Sequence, residues 1–320
     1  MIDQNNKPLL STKQRKAIII SLGLIAAFYL SAVILTGFDD IQMAFQQIGL
    51  MGWGLLLICS FLSYIVRFVR WQGYIKLSGA SIPVLRHFIY YLAGFALTTT
   101  PGKAGETIRS VLLRPHGVSY PSSLAGFFTE RFLDVMVVAL LASLTVIAFK
   151  DYIWFVTIAT IVILLLLPLV RSPLIISILR FLKDKVSKKK IKTSFAHLIT
   201  LIDSAQMFLA WRLIGSGMLL GIIAWSIQGL AFYFIVTALN LEIGLLAAMG
   251  IYAISLLAGA VSFIPGGVGS TEVVMGLLLA ALGADTSIAV SAPLISRLST
   301  LWFAVVLGLL SAAWLSSHRG

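Results

Sequence analysis

The sequence is poor in charge. Asp, Glu, Lys and Arg make up only 11% of its 320 residues, while 59% are hydrophobic. A soluble domain uses about 25% charged residues to cover its surface, so lipid is the solvent this chain is built for. Cysteine is nearly missing. The lone Cys59 sits in an apolar run, which excludes a disulfide framework or a cysteine metal site and reads as a small packed residue. Histidine is scarce, and His87, His116, His197 and His318 lack metal-ligand spacing. No metal or cofactor is expected. P-loop, nucleophile-elbow and dinucleotide fingerprints do not occur, so no catalytic residue is assigned. The alternating segments of about ten residues that mark a transmembrane barrel do not occur either.

What the sequence does have is apolar runs that approach the ~20 residues of a spanning helix. Helices satisfy every backbone polar group inside hydrocarbon. The expected fold is therefore an all-α polytopic membrane protein, one integral domain over 1–320. The basic N-terminus looks like a signal peptide, but the run over 17–36 is long and lacks a convincing cleavage site, so it reads as a retained first helix. Further spanning helices are expected over 49–69, 122–149, 152–170, 213–239 and 288–315. Two irregular sections, 83–114 and 244–283, interrupt them.

A net charge of +12 could suggest nucleic acid. Its distribution argues against that partner, because the basic residues flank apolar runs. With a cytoplasmic N-terminus, the outer loops carry Lys150 against Asp39, Asp40, Asp151, Glu242 and Asp285. This bias predicts a multi-pass protein of the bacterial inner membrane with both termini cytoplasmic. The segment over 150–212 holds the fourth helix and a cytoplasmic loop with Arg180, Lys183, Lys185, Lys188, Lys189, Lys190 and Lys192. That loop reads either as a topogenic cluster or as a surface for anionic headgroups. Residues 193–211 look amphipathic, as if lying on the membrane.

The irregular sections share a pattern. The first contains Pro101, Gly102, Lys103, Gly105 and Glu106; the second contains Pro265, Gly266, Gly267, Gly269 and Glu272. In each half an arginine follows the glutamate by 25 positions, Arg131 in the first and Arg297 in the second. Proline removes a helix donor and glycine permits positive φ, so both motifs break a helix. Non-helical backbone at membrane depth survives only inside protein or beside water. Each section is therefore expected to be a re-entrant helical hairpin turning at its Pro-Gly motif. The first half, over 49–149, and the second, over 213–316, then form inverted repeats, following 1–48 as N-terminal helix and connection. Such repeats with broken helices are characteristic of secondary transporters. The competing reading is two kinked pairs of full spans.

Lys103, Glu106, Arg109, Glu130, Arg131, Asp134, Glu272 and Arg297 fall at membrane depth. Each charge costs roughly 2.5–3.5 kcal/mol at a helix centre, so they must pair or face a hydrated cavity. They read as structural ion pairs or as a substrate site. The cations suit a phosphate, which arginine holds bidentately. Arg67 and Arg70, beside Trp71, read as an interfacial anchor at the end of the second helix or as guides for an anionic headgroup.

The run Arg67-x-x-Arg70-Trp71, the run from Pro101 to Arg109, Glu130-Arg131-x-x-Asp134 and the run from Pro265 to Glu272 resemble the lysylphosphatidylglycerol synthase transmembrane family. The resemblance covers nearly the whole chain. It implies a lipid-translocating membrane domain, with a homodimer plausible by analogy. In two-part resistance factors of that family a soluble aminoacyltransferase follows the membrane domain. No such segment follows here, so synthase chemistry is not expected and the headgroup is open. The expected function is a flippase for a phosphate-bearing phospholipid, aminoacyl-phospholipid, glycolipid or polyprenyl phosphate. An intramembrane lipid-linked transferase or hydrolase, a small-solute transporter and an accessory subunit of an export system are the alternatives.

Overall fold

A computed structural model describes residues 23, 29–31, 34, 37–100, 105–186, 189–262 and 264–318. Among them every regular element is helical. Most of the expected first helix, together with Pro101, Gly102 and Lys103, lies outside the described residues.

Helix α1 spans Phe38–Leu77 and is broken at Gly49, where φ is 66°. Asp39 and Asp40 in its first turn complement the helix dipole. It continues past the expected end at 69, because the chain stays helical where charge replaces apolar residues. Helix α2 (Val84–Ala93) leads through a 3-10 turn, Gly94–Leu97, to the first break. The short α3 (Ile108–Leu113) returns. Helix α4 spans Tyr120–Ala142, started by the Ser119 hydroxyl accepting the Ser122 N–H at 3.3 Å. Helix α5 is Ile153–Arg171, α6 Pro173–Lys185, α7 Lys189–Gln206 and α8 Trp211–Ala238. The second irregular section becomes α9 (Leu245–Val261), a break at Pro265–Gly267, and α10 (Ser270–Ala281). Helix α11 (Thr286–Arg297) passes through a π turn, Leu298–Trp302, into α12 (Phe303–Ser317).

Four of these units are long and apolar enough to cross a membrane: α1, α5, α8 and the joined α11–α12. Helix α4 has 23 residues, enough length, but carries Glu130, Arg131 and Asp134. Helix α9 has only 17 residues, short of the hydrocarbon thickness at about 1.5 Å per residue. The protein is thus an all-α polytopic membrane protein.

Helices α1 and α8 form the central seam. Small residues line it: Gly52, Ser60 and Ser63 on one side, Gly217, Gly221 and Ala224 on the other. Small residues let backbones approach in lipid, where apolar burial gives helices no reason to associate. The Ser63 hydroxyl donates to the Ala224 carbonyl at 2.9 Å. On the flanks, α2 packs against α12 and α9 packs against α4. A side chain at Gly250 would meet the backbone of Leu144 and Thr145; one at Gly308 would meet that of Phe95 and Ala96. Large apolar side chains such as Leu50, Met51, Leu277 and Leu310 point outward, as suits a chain surrounded by lipid.

Candidate functional site

Two groups of charges lie inside this frame. The larger is built on α4. Glu130 is completely buried and stands at the centre of four donors. Arg131 Nη2 is 2.9 Å away, Arg109 Nη1 3.3 Å and Arg70 Nη2 3.6 Å, and the Tyr91 hydroxyl donates at 3.2 Å. One helical turn on, Asp134 accepts from Arg70 Nη2 at 2.6 Å and Trp225 Nε1 at 3.1 Å. Arg131 Nη2 lies 3.1 Å and Arg67 Nη2 3.8 Å from its other oxygen.

Arg109 bridges the hairpin to α4. It pairs with Glu106 as well as Glu130, while the Thr98 hydroxyl donates to Glu106 at 2.7 Å. Its guanidinium lies over Tyr91, 4.2 Å from the ring centroid, with Trp71 and Phe95 also close. Aromatic faces stabilise a desolvated cation. Gly105 donates its N–H to the Thr100 hydroxyl at 2.6 Å, tying down the returning strand of the break.

The smaller group belongs to the second break. Gly266, Gly267 and Gly269 have φ of 64°, 65° and 88°, a region closed to most side chains. Glu272, in the first turn of α10, accepts the Gly269 N–H at 2.8 Å and Arg297 Nε at 3.1 Å. The Tyr29 hydroxyl donates to the same carboxylate at 2.8 Å, and accepts from Trp302 Nε1 at 3.2 Å. Arg297 also donates to the Gly266 carbonyl. One arginine therefore holds both the carboxylate and the backbone of the break.

The two groups meet at a cavity of about 270 Å³. Arg131 and Asp134 of α4 line it, with Gly266 and Gly267 of the second break, Thr271 of α10 and Arg297 of α11. A smaller chamber of about 60 Å³ adjoins it, with Arg67, Glu106, Gln228 and Arg297 in its wall. Arg67 Nε and Nη2 and the Gln228 Oε1 have no hydrogen-bond partner there. Ala260 and Ile264 on the rim of the larger cavity are exposed, so it opens onto the outer surface of the helix bundle.

Several placements differ from the sequence reading. Arg67 and Arg70 are 6% and 3% exposed, so neither is an interfacial anchor at a helix end. Both lie inside α1; Arg70 bonds Asp134 of α4 and Arg67 stands 3.8 Å from it. The matched spacing of 25 positions joins Glu272 to Arg297 directly, but Glu106 takes Arg109 while Arg131 turns to Glu130 and Asp134. Tyr29, Tyr91, Thr98 and Trp225 escaped the sequence reading. Each is a polar tip on an otherwise apolar stretch, and nothing local separates it from an interfacial aromatic or a packed threonine.

Comparison with known proteins agrees with this architecture. Residues 18–308 match the model of the lysylphosphatidylglycerol synthase TM region. A UPF0104 membrane protein of Pyrococcus horikoshii is 29% identical over 286 residues, covering 79% of this chain and 83% of that one. A UPF0104 membrane protein of Methanothermobacter thermautotrophicus is 23% identical and covers 95% of this chain and 97% of its own. A second protein of that organism is 26% identical over 64% of this chain and 66% of its own. The match over 18–308 settles the relationship: the chain belongs to the lysylphosphatidylglycerol synthase transmembrane family.

Proposed function

We propose that the protein is a flippase that passes the phosphate-bearing headgroup of a lipid between leaflets of the inner membrane. The observation that carries this reading is the shared cavity, into which one half sends Arg131 and the other Arg297. Among the described residues, five guanidinium groups, four of them buried (Arg67, Arg70, Arg109, Arg297) and one partly exposed (Arg131), face four carboxylates (Glu106, Glu130, Asp134, Glu272). The excess is one positive charge, and a low-dielectric site of that sign favours an anion. Arg131 and Arg297 are the phosphate contacts in this reading, with Arg67 at the inner chamber. Lys103, a further candidate phosphate contact by its place in the sequence, lies outside the described residues. The exposed rim at Ala260 and Ile264 lets acyl tails stay in lipid while the headgroup moves.

The glutamates balance the arginines when no lipid is bound. The hairpins are re-entrant and the halves inverted in this scheme. Opening the cavity to one leaflet and then the other requires the halves to exchange arrangements, and an inverted pair makes the two states similar in energy. The experiment is headgroup translocation in proteoliposomes. Labelled phospholipid, aminoacyl-phospholipid, glycolipid and polyprenyl phosphate are offered in turn, with and without a proton gradient. Movement of one class by the native protein is the expected result. Folded protein that moves none of them under either condition would exclude a flippase.

A further inference from the structure

The basic segment takes no part in the cavity. Helix α5 ends at Arg171, and Ser172 turns the chain with extended backbone, φ −70° and ψ 136°. Its hydroxyl accepts the Leu174 N–H at 3.2 Å and so starts α6 afresh. Helix α6 has 13 residues, about 20 Å at 1.5 Å per residue, too short to cross a bilayer. Leu174, Ile178, Phe181 and Leu182 form one helical stripe, and they are 64%, 51%, 58% and 41% exposed. Lys185 closes that stripe at the helix end, Arg180 and Lys183 fall on the side of the helix away from it, and Lys192 stands on α7. None of these four cations pairs with a carboxylate among the described residues, although Asp184 shares the helix. Lys185 lays its ammonium 4.3 Å from the Phe181 ring centroid, a stem kept on the apolar stripe with its charge at the edge.

A short helix with an exposed apolar stripe and with unpaired cations at its end and on the side away from the stripe suits the plane of a headgroup layer. We propose that the α6–α7 pair lies flat on one face of the membrane and that anionic lipid is its occupant, apolar stripe in the acyl boundary and cations on lipid phosphates. Charge selects the lipid class: the surface is basic, so it complements phosphatidylglycerol-like headgroups rather than zwitterionic ones. The surface is also tied to the site. Ala205 of α7 and Phe208 just beyond it pack on Ala125 of α4 and Tyr74 of α1. Those two helices carry Arg131 and Arg70.

The test needs no transport. Cys59→Ser removes the native thiol, and Ile178→Cys carries an environment-sensitive fluorophore. Quenching by acrylamide, which is neutral, is compared in phosphatidylcholine vesicles and in phosphatidylcholine mixed with phosphatidylglycerol. The expected result is quenching about twofold weaker with phosphatidylglycerol, with the difference erased by high salt. Combined Arg180→Gln, Lys183→Gln, Lys185→Gln and Lys192→Gln removes the lipid dependence. Equal quenching of the label in both vesicles at low salt overturns the proposal from the native charge pattern alone, and makes an acidic protein the occupant to seek. Neither result bears on whether the protein moves lipid.

Discussion

At the scale of single residues, the interior is governed by the cost of an unpaired charge. Arg109 is 1% exposed and serves Glu106 and Glu130 together. Removing one member of a buried pair costs about 3–5 kcal/mol, mostly because the other charge stays behind unpaired. Arg109→Gln is expected to lower the unfolding temperature in detergent sharply, and Glu106→Gln added to it restores part of the loss. A double variant no more stable than the single one would mean that Glu106 is satisfied elsewhere. Arg131 behaves differently. Its side chain is 16% exposed, and Glu130 keeps Arg70 and Arg109 without it. Arg131→Gln should fold normally yet slow translocation about tenfold or more, the scale of one lost charge-assisted hydrogen bond. Normal rates would remove Arg131 from the phosphate site. The carboxylates and Arg131 could be read from sequence because charge in lipid is rare and expensive. Arg67 and Arg70 were misplaced for a related reason. Hydropathy falls where charges begin, which looks like a helix end, and their partners on α4 lie sixty or more positions away.

At the scale of elements, α9 leans on the 3-10 turn that follows α4, and α12 leans on the 3-10 turn that follows α2. Gly250 of α9 brings its backbone against Leu144 and Thr145, and Gly308 of α12 does so against Phe95 and Ala96. A Cβ at Gly250 would sit 2.7 Å from the Leu144 carbonyl carbon, and one at Gly308 would sit 2.6 Å from that of Phe95. Backbone cannot yield as a side-chain tip can. Gly250→Val and Gly308→Val are each expected to cut the yield of monodisperse protein on size-exclusion chromatography. Gly215→Val, with open space around its Cβ position, is the control and should not. Equal behaviour of the three would dismiss the close approach. The second break was legible, since Pro265 and the glycines after it announce it. The helix ends were not: α1 runs eight residues past its expected limit of 69, and the π turn after Arg297 leaves no mark in composition.

At the scale of the whole molecule, pairings run in reciprocal sets: α1 on α8, α2 on α12, α9 on α4. Charge does not follow that exchange. Among the described ion pairs, the segment over 49–149 holds Arg67, Arg70, Arg109, Arg131 and three carboxylates, and the segment over 213–316 holds Arg297 and Glu272. In the proposed cycle the cluster over 49–149 therefore supplies most of the charge around the anion, while Arg297, the other phosphate contact, also ties Glu272 to the Gly266 carbonyl at the break. Such a cycle makes a demand on access. Val138 lines the shared cavity, so a thiol there must be reachable from each side of the membrane in turn. In sealed vesicles of both orientations, built on Cys59→Ser, Lys185→Cys and Glu242→Cys define the two faces. The charge bias assigns Lys185 to the cytoplasm and Glu242 to the outside, so an impermeant thiol reagent should mark each from one side only. Val138→Cys should react from both. Reaction from a single side, unchanged by any lipid offered, would remove alternating access, and a one-sided binding protein would then describe the cavity better than a flippase.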